Sequence, residues 1–159
     1  MLSGRLNLKL LIFLTIISVI IIQLPRHNEP EKYPTFHEFA RDSSFPYKAD
    51  PERIKLITRN YNVLSTGLTM KQVKNNLGSP DFAQKIYKRK HKELSEQIGT
   101  SWTYLFTKPA ANFTFQNSDS GIEVFFNIVE EVVCIVPVNV DGLQVLTGPE
   151  NDKCPSTSI

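Results

Sequence analysis

The chain has 159 residues, a formal net charge of +2 and 41% apolar residues, which makes room for one modest globular domain after the apolar N-terminus and would crowd two. A balance so near neutral, with the basic residues scattered outside a single cluster, excludes a general nucleic-acid binder.

Arg5 and Lys9 precede an apolar run over residues 10–24 that only Thr15, Ser18 and Gln23 interrupt. Counted from Leu8 the stretch has 17 residues, about 25 Å as a helix, which reaches across a bilayer if Lys9 snorkels. The run ends in Ile, Gln and Leu, without the small residues of a signal-peptidase site, so residues 1–24 are expected to be a retained signal-anchor. Positive residues ahead of it keep the N-terminus in the cytoplasm and place the remainder outside.

Residues 25–49 carry Pro25, Pro30, Pro34 and Pro46 among polar residues, the composition of an extended tether. Phe36, Phe39, Phe45 and Tyr47 are numerous for a linker and leave docking on the domain open.

A first helix is predicted from Asp50 as cap, Pro51 at the first helical position and Glu52 on the positive dipole end, with Ile54, Ile57, Tyr61 and Leu64 on its buried face. Thr69 and Gln72 form a capping-box pattern for a second helix, whose stripe is Met70, Val73 and Leu77. Gly78 stops it and Pro80 prevents its resumption. Lys85, Lys88, Arg89, Lys90 and Lys92 then crowd around Tyr87. They fit either contact with anionic lipid or an acidic protein surface, or a solvated loop that Glu93 and Glu96 partly neutralise.

Past that cluster the apolar period changes to two. Trp102, Tyr104 and Phe106 share a strand face, as do Ile122, Val124, Phe126 and Ile128; a third strand covers residues 132–138, with Glu130 and Glu131 at the turn. The expected fold is α+β: after the transmembrane anchor, two helices pack on a three-stranded antiparallel meander, in the order ααβββ, over residues 50–146, followed by a tail, residues 147–159.

The stretches GLTMKQVKNNLGSPD, SWTYLF and GIEVFFNIVEEVVCI together resemble the SmpA/OmlA (BamE-like) domain family, over roughly residues 54–138. The resemblance implies a small envelope protein that supports outer-membrane protein assembly. Here Gly67-Leu68-Thr69 stands where that family has Gly-Met-Thr, and no cysteine follows the apolar run, so attachment is expected through the helix, in a bacterial inner membrane with the domain in the periplasm.

Catalytic chemistry finds little material. His27 and His37 fall in the tether and His91 in the basic cluster, and no serine or cysteine has a plausible base, so neither an enzyme, a metal nor a cofactor is expected. Cys134 and Cys154 both lie in the exported part; they either pair, pinning the tail, or stand as a buried Cys134 and a free Cys154. Two functions fit: an envelope scaffold or assembly module binding other envelope proteins through a sheet edge or helix face, or an inhibitor-like module similar to β-lactamase-inhibitor domains.

Overall fold

A computed structural model of the chain describes residues 32–88, 96–112, 115–148 and Cys154. The expected transmembrane segment lies outside the described residues, among which no helix is long and apolar enough to cross a membrane.

The described part is α+β. In chain order it has helix α1 (Phe36–Asp42), strand β1 (Tyr47–Lys48), helix α2 (Pro51–Asn60) continued by a 3-10 turn (Tyr61–Val63), and helix α3 (Met70–Leu77). Strands β2 (Phe82–Lys88), β3 (Glu96–Lys108), β4 (Ser120–Asn127), β5 (Val132–Val138) and β6 (Leu146–Thr147) complete it. All pairings are antiparallel. The expected meander is β3-β4-β5, and the sheet is larger than expected, with six strands. The long strand β3 carries two short partners end to end on one edge: β2 opposite residues 96–103 and β1 opposite Thr107 and Lys108.

The two predicted helices start and stop for the predicted reasons. Asp50 accepts from the Glu52 and Arg53 N–H groups, and Thr69 and Gln72 close a reciprocal capping box. Gly78 ends α3 at φ +81 while its N–H bonds Lys74 C=O, a conformation that a side chain resists. The helices bury Ile57, Tyr61, Leu64, Val73 and Leu77 against Trp102, Tyr104, Phe106, Ile122, Val124 and Phe126 of the sheet. Ile128, expected on that same face, is exposed instead. Strand β4 ends at Asn127 because the Asn127 side chain captures the Val129 and Glu131 N–H groups and turns the chain there.

The second face of the sheet is buried as well, at Ser101, Thr103, Leu105, Glu123, Phe125 and Cys134. Part of its cover comes from the stretch read as tether, for which docking is the outcome over residues 33–49. Helix α1, capped by Thr35 and Glu38, lays Phe36 and Phe39 on Phe82 and Leu105; on the other face Tyr33, from the same stretch, meets Trp102 edge-on at 4.7 Å between ring centroids. Cys134 and Cys154 are joined in a disulfide, which ties the tail to strand β5.

Candidate interaction surface

The basic cluster expected to lie in a loop begins in a strand. Lys85 and Lys88 belong to β2, both exposed, with Tyr87 between them at 49% exposure. Arg89, Lys90 and Lys92 lie outside the described residues, as do His27 and His91. Burial falls along the strand, from Phe82, buried, to Lys85, Tyr87 and Lys88, which face water, as in an edge strand that runs out from under its cover.

The outer edge of β2 is bonded at one place among the described residues, where Ala83 N–H donates to Pro34 C=O at 2.8 Å. Backbone groups alternate in direction along an antiparallel strand, so the Lys85 N–H points outward as well, and no described residue accepts it. A bulge between Ile86 and Tyr87 bends the remaining edge. The opposite edge, at β5, is covered: Gly67 N–H bonds Val132 C=O, Val132 N–H bonds Leu68 C=O, and β6 pairs Cys134 and Ile135. Among the described residues strand β2 therefore carries the longest open edge, and its lysines would oppose one another in any self-pairing, which disfavours a second copy as the partner.

What aims that edge is an ionic knot that the sequence does not announce. Asp81, just before β2, accepts from Arg53 Nη1 at 2.6 Å and Nη2 at 3.0 Å, from Tyr47 Oη at 3.1 Å and from the Leu105 N–H at 2.7 Å. One carboxylate thus joins β1, α2, the start of β2 and the bulge in β3. Burial, and next to it the Asp81 charge, push the Tyr47 phenol up to about 12, so it stays a donor in this knot. A second buried pair, Lys108 Nζ with Asp119 Oδ2 at 2.6 Å, sits at the same end of β3, with Lys108 near the Phe36 and Phe115 rings. Both pairs hold elements together.

Glu123 is the one buried carboxyl without such support among the described residues. It lies in mid-sheet, opposite Thr103 on one side and Val136 on the other, and desolvation pushes it up to about 7. The Thr103 hydroxyl oxygen beside it is buried without a hydrogen-bond partner.

Among the described residues no three of His, Cys, Asp and Glu are placed to hold a metal ion. His37 is exposed on α1, while Glu38 caps that helix and Asp42 pairs with Arg41. Compared with known proteins, the chain matches no family model, no curated protein and no solved structure.

Proposed function

We propose that the chain is a non-enzymatic module of the cell envelope, anchored in the inner membrane by residues 1–24, whose periplasm-facing domain binds other envelope proteins and supports their assembly. The observation that carries this reading is the outer edge of β2: a Lys85 N–H that no described residue accepts, with exposed Lys85, Tyr87 and Lys88 around it. An extended segment of a partner can add there as a further strand, with main-chain hydrogen bonds giving affinity and acidic side chains meeting the lysines. The likeness of the helix stop and strand motifs to SmpA/OmlA domains points to the same class of work.

A photo-crosslinking residue in place of Tyr87 tests it in native membranes, with one in place of Ala110, on the exposed loop after β3, as comparator. Envelope assembly proteins are expected in the adducts at position 87 and not at 110. Lys85→Pro removes the outward N–H together with the Lys85 charge and no ladder bond, and is expected to abolish the adduct while leaving the melting transition in place; Lys85→Met, which removes the charge alone, is expected to weaken the adduct only. Equal adducts from both positions would refute the edge as the site, and a single hydrolase as the adduct would favour an inhibitor.

A further inference from the structure

Six large apolar side chains are exposed among the described residues, and four of them, Tyr87, Ile98, Ile128 and Val129, gather at one end of the sheet. The register places them there. Tyr87 lies opposite Gln97, Ile98 comes next, and Gly99 lies opposite Asn127, from which the turn carrying Ile128 and Val129 departs. That turn is closed by its own bonds: Asn127 Oδ1 accepts the Val129 N–H at 3.0 Å and the Glu131 N–H at 2.9 Å. Asn127 N–H bonds Glu131 C=O, Glu130 N–H bonds Asn127 C=O, and Met70 N–H anchors on Glu130 C=O at 3.2 Å. Ile128 and Val129 are thus held outward at 62% and 66% exposure by a built turn, and a cluster of such residues marks a contact surface.

We propose that this end of the sheet rests on the membrane itself, with Ile128 and Val129 entering the interfacial layer of the bilayer and Tyr87 at headgroup level. The inference rests on the reading of residues 1–24 as a retained anchor. The occupant follows from where the chain leaves the domain. Only residues 25–32 separate the apolar run from Tyr33, and eight residues reach at most about 28 Å. Pro34 bonds Ala83 and Phe36 packs on Phe82, so the backbone followed from Phe36 to Tyr33 runs along β2 toward its Tyr87 end. The contact rests on its apolar side chains, since among the described residues Lys85 and Lys88 share this end with Glu96, Glu130 and Glu131. Aromatic and aliphatic residues at the interface serve lipid contact of this kind without a requirement for anionic lipid.

The full chain carrying Val129→Trp, placed in phosphatidylcholine nanodiscs with or without brominated acyl chains, tests the contact; Ala110→Trp, at the opposite end of the sheet, is the comparator. The chain is expected to co-elute with the discs. Brominated lipid should quench most of the emission added at position 129 and little of that added at 110, in low and in high salt alike. Ile128→Trp repeats the measurement from the adjacent position, so that misfolding of one variant does not decide the outcome. Co-elution without quenching at either turn position overturns the inference alone. A chain that fails to co-elute overturns the anchor reading and this contact with it.

Discussion

Glu123 shows what a single side chain can cost a sheet. An acid held at about 7 in the fold, against an ordinary value of 4.5, keeps its proton while the unfolded chain has already lost it. Its contribution to stability is therefore present below about 4.5 and declines as pH rises through about 7. The loss is at most on the order of 3 kcal/mol. Glu123→Gln, which cannot ionise, should flatten this part of the pH profile and melt above the parent at pH values beyond the transition. Thermal melts across mildly acidic to mildly alkaline pH check it; parallel profiles for the two proteins would place the carboxyl in water. Nothing in the sequence marked this residue, because alternation in GIEVFFNI assigns Glu123 to a solvated face. Asp81 escaped for a related reason: its partners Tyr47, Arg53 and Leu105 are brought to it by tertiary folding alone.

At the scale of elements, local chemistry was legible wherever a cap or a stop fixed it. The capping box at Thr69, the Pro after Asp50 and the Gly-Pro stop after Leu77 act within one turn of backbone, so the sequence shows them directly. Helix α1 has the same signature, Thr35 with Glu38, but prolines on both sides masked it. Strand β2 was hidden by its charge, since an edge strand needs only half its residues to be apolar. The stop after α3 separates two kinds of damage. Leu77→Ala should cost about 2 to 5 kcal/mol through a cavity in the core, whereas Gly78→Val meets no atom within 4 Å and should cost about 1 to 3 kcal/mol through its backbone alone. Denaturant unfolding of the full chain in detergent measures both. If Gly78→Val is neutral while Leu77→Ala is not, the φ of +81 does not persist in solution.

For the molecule as a whole, the number of layers was the least legible property. A sheet with its second face covered reads in sequence like one with a single face covered, because Ser101, Thr103 and Glu123 are polar yet buried. The cover comes from far along the chain at both ends: α1 and β1 before the core, and Cys154 after it. The disulfide closes a separation of 20 residues, for which chain entropy gives about 3 kcal/mol. Cys154→Ser should lower the denaturant midpoint accordingly, and reduction should bring the parent down to the variant without changing the variant itself. Identical midpoints for parent and variant under oxidising conditions would show that the bridge closes nothing in the unfolded chain.

The end-to-end placement of β1 and β2 along β3 also sets a clock. Tyr47 pairs with Lys108, 61 residues later in the chain, and at roughly 5 to 20 residues per second of synthesis that partner follows about 3 to 12 seconds behind. During that interval Phe36 and Phe39 have been made but the Leu105 they will cover has not. Helix α1 is thus born first and docks late, and a sticky aromatic segment waits in the open until the far end of β3 arrives. A holding chaperone acting on this chain has its natural grip there, on the residues that the finished fold hides.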